Sequence, residues 1–570
     1  MQVSDYIVKF LIDHEITDVF GYPGGMVTYL MESFDRHHNK IHAHLCYHEQ
    51  GAAFAACGYA QIAGAPGVAY ATSGPGATNL ITGIANAFFD SIPCIFITGQ
   101  VNVNDLKTIP GMRQNGFQEM DIVSLVRPIT KYVVQITDAA RIPFELKRAY
   151  AEAMSGRKGP VLLDIPLNVQ RIEIEIDELS GYEDTMHSIT DKEYSTIADC
   201  IIRRLQDAKR PVLIVGAGIR QSGAVSELRV LTEKLQIPVL SSMISVDVIP
   251  SAARYSFGFI GAYGHRWANH IVFKSDLILA LGTRMDIRQT GSGRQAFAPQ
   301  ADMIRVDIDD AELQWTRGEA DTNICCDVNR LIQKLNQRLQ NTQNDHEEWL
   351  AVCSKIRELL RNMDREKENQ EIKEISRLLP ANAIVTTDVG QNQVWVAQSF
   401  DVKDQKILFS GGLAAMGYSL PAAIGAYYAS REKVFCFVGD GGLQMNIQEL
   451  ETVARDHLPI KIFLMNNFSL GMIRHFQEMY FQGNYMQTVS NHGYSVPDFS
   501  RIAEAYGIKA VEIHDINPSM KEDLESEEPV LFNVLCRQKT YVYPKLAVNY
   551  PLYDQDPLID RELLTEIQEL

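Results

Sequence analysis

The stretch Val434–Asn467, VFCFVGDGGLQMNIQELETVARDHLPIKIFLMNN, allows few folds. An apolar run, Val434–Val438, ends in Gly439-Asp440-Gly441-Gly442, and a second, Ile460–Met465, ends in Asn466-Asn467. Between them Leu443, Ile447, Leu450 and Val453 recur at helical spacing. The pattern predicts strand, glycine turn, helix and parallel strand, a right-handed βαβ unit. Both polar clusters then fall at the carboxyl ends of adjacent strands, where open α/β sheets bind ligands. The glycines let a backbone approach phosphate closely. Asp440 and Asn467 offer oxygens suited to a magnesium ion that also holds phosphate. A lone GDG would read as a structural turn; GDG followed at this interval by an apolar strand and NN is far more specific.

The rest of the chain repeats the alternation. Ser4–Leu11 and Tyr29–Phe34 read as helices, and Asp18–Phe20 as a strand running into Tyr22-Pro23-Gly24-Gly25. Strands are expected at Ala43–Leu45, Gly67–Ala71, Ile95–Thr98 and Val161–Pro166, with an Ala-rich helix at Ala52–Ala63. A polar, acidic stretch from about Ile172 to Glu193 reads as a linker. Further strands follow at Pro211–Gly216, Pro238–Ser241, Leu277–Leu281 and Met303–Asp307. A charged helical connection spans Asn341–Arg365, and a third unit starts near Ala383. The tail after Pro544 either folds over a neighbour or frays. The fold class is α/β, with three doubly wound parallel sheets. The first and third units could be distant copies, which sequence alone does not establish.

Composition excludes some partners. The formal net charge of −18 argues against nucleic acid and anionic membranes. No apolar run approaches the roughly 18 residues of a membrane span. The N-terminus, MQVSDYIVKFLIDHEI, is amphipathic and carries acidic residues, unlike a signal peptide. Nine scattered cysteines without a CxxC pair suit reduced thiols in a cytoplasm.

YPGG (Tyr22–Gly25), YHEQGAAFAACGYA (Tyr47–Ala60), GGLAAMGYSLPAAIGA (Gly411–Ala426) and the GDG…NN stretch stand in that order. GFQEMD (Gly116–Asp121), SGRKGPVLLDIP (Ser155–Pro166) and NNFSLGM (Asn466–Met472) extend the series. Together they resemble the acetohydroxyacid (acetolactate) synthase branch of the thiamine diphosphate (ThDP) enzymes, over nearly the whole chain. The resemblance implies a pyrimidine-binding domain at 1–170 and a central FAD-type domain at 190–340. It also implies a diphosphate-binding domain at 370–545 and a C-terminal tail at 546–570. It implies an active site between two subunits, hence a homodimer or homotetramer, and it allows a regulatory small subunit. The implied setting is cytoplasmic branched-chain amino-acid biosynthesis.

On this resemblance Glu49 contacts the aminopyrimidine ring nitrogen and relays its proton. Met416 supports the bent cofactor, and the Ala414 carbonyl meets its amino group; Gly is usual in the synthases at that position. Asp440, Asn467 and the Ser469 carbonyl hold Mg²⁺. Gly439, Gly441, Gly442 and Met472 belong to the same cofactor site. The Gly25 N–H steadies an oxyanion, and Phe117 and Gln118 match an active-site pair. His48 orients its surroundings, while His37, His38 and His42 are surface residues without metal spacing. Gly216, Gly218, Arg284, Asp307 and Asp327 resemble a structural FAD site, although the full GxGxxG is absent.

Arg288 matches the arginine that grips the acceptor's carboxylate. Two neighbours depart from the synthases, with Phe476 replacing Trp and Ala262 replacing Met. Both enlarge the acceptor pocket and weaken ranking of small 2-oxo acids by size. The Asn102–Asn115 segment, with Lys107 and Arg113, is longer than its counterpart and could form a modified lid. The favoured expectation is transfer of a two-carbon unit from pyruvate to a second 2-oxo acid, giving acetolactate or acetohydroxybutyrate. The alternatives are transfer to a larger keto acceptor, such as a nucleotide-linked keto-sugar, and a non-catalytic ThDP/FAD-binding subunit.

Overall fold

A computed structural model describes residues 1–175, 189–293, 296–315, 321–339, 346–364 and 366–570. Most of the expected linker lies outside these residues. Its last part is helical: Thr190 and Glu193 form a capping box that starts a helix at Asp191–Asp207.

Among the described residues, eighteen strands form three six-stranded sheets, parallel throughout their pairings. The first holds β1 (Asp18–Gly21), β2 (His42–Leu45), β3 (Gly67–Ala71), β4 (Cys94–Gln100), β5 (Tyr132–Gln135) and β6 (Pro160–Pro166). The second holds β7 (Pro211–Val215), β8 (Val239–Ser241), β9 (Ser256–Phe259), β10 (Leu277–Leu281), β11 (Asp302–Asp307) and β12 (Thr322–Cys325). The third holds β13 (Ile384–Thr387), β14 (Lys406–Leu408), β15 (Val434–Gly439), β16 (Ile460–Asn466), β17 (Lys509–Ile513) and β18 (Val530–Leu535). Central strands such as β3, β4, β10 and β16 are buried along their whole length, as sheets covered by helices on both faces require.

The first sheet runs β2-β1-β3-β4-β6-β5, and the third runs β14-β13-β15-β16-β18-β17. The permutation is the same, which supports the reading of the two units as copies. The second sheet runs β12-β11-β10-β7-β8-β9. Read from its other edge that is 3-2-1-4-5-6, the order of dinucleotide-binding folds, with its switch point between β7 and β10.

Two helices of small residues join the first and third units. Glu49–Ala63 crosses Ser419–Ser430 so closely that a Cβ on Gly425 would lie 1.8 Å from the Ala55 carbonyl oxygen. A Cβ on Gly58 would lie 2.1 Å from that of Ala422. Both helices share one apolar core with strands of both sheets. Around it, Asp18 of β1 accepts from His44 Nε2 (2.7 Å) and Arg431 Nη2 (2.8 Å), tying the two units by charge.

The tail is fixed on the second unit. Leu546 N–H donates to the Ala262 carbonyl (2.7 Å), and Arg266 donates to the Gln555 carbonyl (2.8 Å). The last helix, Arg561–Glu569, buries Ile567 in the second unit's core. The expected alternative of fraying is therefore corrected: the tail's own side chains complete that core. No described helix is long and apolar enough to cross a membrane.

Candidate active site

β15 and β16 pair in register, Gly439 beside Met465, so Asp440 and Asn467 emerge from adjacent strand ends. Asp440 opens a short helix, Asp440–Met445. Its Oδ1 accepts from Gly441 N–H (2.7 Å) and Tyr494 OH (3.0 Å). Asn467 commits its nitrogen to Gln391 Oε1 (2.9 Å) and Thr540 Oγ1 (2.8 Å). That leaves its oxygen for the Ser469 N–H, which reaches Asn467 Oδ1 and Asp440 Oδ2, each at 3.2 Å. Phe468, at φ 57°, makes the bend that brings these groups together. Burial pushes the Asp440 carboxyl up to about 6 against the pull of its donors.

A carboxylate and an amide oxygen thus meet at one N–H, and hard oxygens of this kind suit a magnesium ion beside phosphate. Among the described residues, no three His, Cys, Asp or Glu side chains gather to hold a metal by themselves. Gly441 is crowded: a Cβ there would meet Leu470 at 2.6 Å and Met416 Cε at 3.2 Å. Met416 thus lies against the glycine turn.

The loop carrying Met416 is held from two sides. Buried Asp388, at the end of β13, accepts from the N–H groups of Gly417 and Ser419, each at 2.9 Å. Asp90, from the first unit, accepts from Gly411 (3.0 Å) and Gly412 (2.7 Å). Burial raises each of these carboxyls to about 6. Ala414 takes φ 58°, the left-handed region that favours glycine. The departure from Gly expected there therefore carries backbone strain.

Glu49 is buried at the start of the Glu49–Ala63 helix. Its Oε2 accepts from Asn79 Nδ2 (2.9 Å), and Oε1 would lie 3.1 Å from a Cβ on Gly76. His48 caps the helix, its Nδ1 accepting from Gln50 N–H (3.1 Å). Behind them lies fully buried Glu449, which accepts from Tyr47 N–H and Thr452 Oγ1, both at 2.9 Å. Among the described residues no hydrogen bond or ion pair joins Glu49 to Asp440, Asn467 or Met416. A side chain at Gly25 would point into open space. Phe117 is 79% exposed, a large aromatic ring turned outward, and Gln118 takes φ 62° against Gly74.

Residues 1–125, 198–335 and 388–534 match the thiamine pyrophosphate enzyme N-terminal TPP binding, central and C-terminal TPP binding domains, respectively. The chain is 36% identical to acetolactate synthase 1, chloroplastic, of Nicotiana tabacum, over 95% of this chain and 83% of that protein. It is also 36% identical to the acetolactate synthase large subunit of Lactococcus lactis, over 95% and 94% of the two chains. For the isozyme 2 large subunit of Escherichia coli the identity is 36%, over 95% and 97%. The chain belongs to the acetolactate synthase family.

Two further places in this family member were singled out by sequence. The first is a cavity of about 750 Å³ at the switch point of the second sheet, lined by Gly218, Arg284, Asp307 and Asp327 among others. Gly216 precedes the lining residues Ala217 and Gly218, and a Cβ on it would lie 2.2 Å from the Gly282 carbonyl oxygen. Asp327 caps the helix Val328–Arg338. Arg284 donates to Asp286 (3.3 Å), and burial raises the Asp307 carboxyl. The second is the set Arg288, Ala262 and Phe476, of which Arg288 and Ala262 line another part of the same cavity. Ala262 N–H donates to the Arg288 carbonyl (2.8 Å), and the exposed guanidinium lies 5.9 Å from the Tyr263 ring. Phe476 is 44% exposed and packs 4.7 Å from Tyr480.

Sequence motifs assigned no role to several residues whose part only tertiary contact reveals. Glu119 is one: its carboxylate accepts from Lys107, Asn115 and Gly116 N–H, closing the base of the expected lid. Asp90, Asp388 and Glu449 are others, since each acts on backbone far away in sequence.

Proposed function

We propose that this chain is the catalytic subunit of an acetolactate synthase, joining a two-carbon unit from pyruvate to a second 2-oxo acid with release of CO₂. The observation that carries this reading is the pairing of two preformed half-sites. One is the Asp440–Asn467–Ser469 oxygen set beside a glycine turn; the other is the buried Glu49 carboxyl. Thiamine diphosphate, when bound, supplies the electron sink for the carbanion left by decarboxylation. Asp440, Asn467 and the Ser469 carbonyl would hold Mg²⁺, with Gly439, Gly441, Gly442 and Met472 around the diphosphate. Met416 and the Ala414 carbonyl would hold the aminopyrimidine, and Glu49 would hold a proton at its ring nitrogen. Gly25 N–H stabilises charge on the substrate oxygen, with Phe117 and Gln118 closing the site over it. Arg288 grips the acceptor's carboxylate, and Phe476 and Ala262 shape the pocket.

The second-sheet cavity, with its glycine approach, arginine and two carboxylates, fits FAD, held by Gly216, Gly218, Arg284, Asp307 and Asp327 in a structural role. The domain limits follow the same reading: 1–170, 190–340, 370–545 and the tail. The same reading makes the assembly a homodimer or homotetramer. Relatives named large subunits favour a regulatory small subunit as a further partner. Nine unbridged cysteines agree with a cytoplasmic setting, and the family with branched-chain amino-acid biosynthesis.

Purified protein given ThDP, Mg²⁺ and pyruvate should release CO₂ and form acetolactate. A chelator should abolish this, and added Mg²⁺ should restore it. Absence of acetolactate under these conditions defeats the reading.

A further inference from the structure

A second cavity, of about 660 Å³, lies between the second and third units and takes no part in the proposed reaction. Two helices, Glu347–Leu360 and Lys367–Leu378, contribute to it, together with strands of the second sheet and the end of the helix Gln391–Ser399. Among the described residues its lining carries five arginine and lysine side chains against three carboxylates, in a chain of net charge −18. Burial pushes His265, in the same lining, down to about 4, so it adds no charge. Asp364 is engaged on both oxygens by Arg266, at 2.6 and 2.9 Å, and Asp401 accepts from Arg377 at 3.4 Å. Glu374 is the remaining carboxylate, and among the described residues it forms no ion pair.

Two groups of this lining lack the partner that their chemistry calls for. Asn369 is only 7% exposed. Its Nδ2 donates to Gln398 Oε1 (3.1 Å) and Ser399 Oγ (2.7 Å), but its buried Oδ1 accepts from nothing among the described residues. A buried amide oxygen without a donor is costly. Arg357 is half-buried, with its guanidinium 4.7 Å from the centre of the Phe257 ring. Its Nη1 donates to the Ser256 carbonyl (3.2 Å), and among the described residues its other N–H donors have no acceptor and no carboxylate pairs with it. Burial pulls this guanidinium below its ordinary range. Lys373, one turn beyond Asn369 on the same helix, also forms no ion pair among the described residues. Trp267 adds a flat apolar ring to the lining, its Nε1 donating to the Phe257 carbonyl (2.8 Å).

We propose that this cavity is a separate ligand site, and that it takes a nucleoside monophosphate whose base carries an amino group. Arg357 takes the phosphate, since a guanidinium fork suits its oxygens, and Lys373 supplies a second cation. Asn369 Oδ1 accepts from the amino group of the base, and Trp267 lies alongside the base. A bare phosphate would leave Asn369 unsatisfied, and a free base would leave Arg357 unpaired. The volume falls in the range of roughly 300–1,000 Å³ usual for small-molecule sites, far more than a lone anion fills. The residues of this site are distinct from Glu49, Asp440 and Asn467, so the site stands or falls independently of the synthase reading.

The test uses the full chain with ThDP, Mg²⁺ and excess FAD, which keep the other sites occupied, and measures AMP binding by titration calorimetry. AMP should bind once per chain. IMP has an oxygen in place of the amino group and should bind about tenfold more weakly, as should ribose 5-phosphate, which has no base. Arg357→Gln retains a donor for the Ser256 carbonyl and should weaken AMP by about tenfold or more. Asn369→Leu should weaken AMP to the level of IMP and leave IMP unchanged. Asn369→Ser serves if the Leu variant does not fold. The proposal is overturned if AMP does not bind the loaded protein, or if AMP and IMP bind alike, and neither comparison needs a variant. AMP binding that Arg357→Gln and Asn369→Leu both leave unchanged also overturns it, by placing the nucleotide elsewhere.

Discussion

Glu49 and Glu449 are two buried carboxyls on opposite sides of one short turn, and they do different work. Glu49 accepts from Asn79 and lies against Gly76. Glu49→Gln keeps the shape and removes the proton relay that the proposed function gives to this carboxyl. Its rate of acetolactate formation should fall by about 10²- to 10⁴-fold with folding retained, as circular dichroism and steady-state kinetics will show. Full activity would take Glu49 out of the chemistry. Glu449 faces backbone donors and titrates with burial, its pKa raised from 4.5 to about 7. Between those values the native state binds more protons than the unfolded chain, so the stability this group contributes is fully present at the acid end and lost as pH rises through about 7. Glu449→Gln keeps an acceptor for Tyr47 N–H and does not titrate. Relative to the unmodified protein, its urea midpoint should therefore rise from pH 5 to pH 8; a constant difference across this range would show that Glu449 does not titrate as described.

At the scale of elements, the crossing of Glu49–Ala63 with Ser419–Ser430 sets where both half-sites stand. No side chain fits at Gly425, since its Cβ would meet backbone rather than a movable group. Gly425→Val should cost about 3 kcal/mol of stability or prevent folding, read from denaturant midpoints; a near-neutral result would mean that the helices are not in contact there. This crossing is legible in the sequence as two Ala/Gly-rich runs, but the partnership between them is not. The strands divide similarly. Apolar runs such as Ile460–Met465 announce buried strands, and the structure extends that one by a residue to Asn466. β5, β9, β12, β14 and β17 carry no such run: they are short, stand at or next to sheet edges, and show broken burial such as the alternation along Thr322–Cys325. β18 is different, because its run VLFNVL is apolar enough to be read. The helix expected through Leu443–Val453 breaks after Met445. There Asn446 gives its Nδ2 to the Gly417 carbonyl (2.8 Å) and Gln50 Oε1 (3.2 Å), a tertiary bond that no periodicity announces. The site residues follow the same rule. Glu49, Asp440 and Asn467 sit in motifs, whereas Asp90, Asp388 and Glu449 are known only by the distant backbone they hold.

At the scale of the molecule, the repeated strand order of the first and third sheets implies two related halves, and the proposed site draws on both. Phe117, Met445, Ile473 and Phe481 are large apolar side chains that stand exposed on the chain. A second copy would cover such a surface and bring Glu49 of one subunit to Asp440 of the other. Subunit exchange tests this directly. Glu49→Gln and Asp440→Ala proteins, each inactive alone, are mixed, exchanged and assayed. If each site draws Glu49 from one subunit and Asp440 from the other, every mixed dimer holds one doubly altered site and one intact site. With half the dimers mixed, activity should return to about a quarter of the unmodified level. If instead each site is built within a single chain, every site in every dimer keeps one altered residue and no activity returns. The two outcomes differ in kind, so even partial exchange separates them.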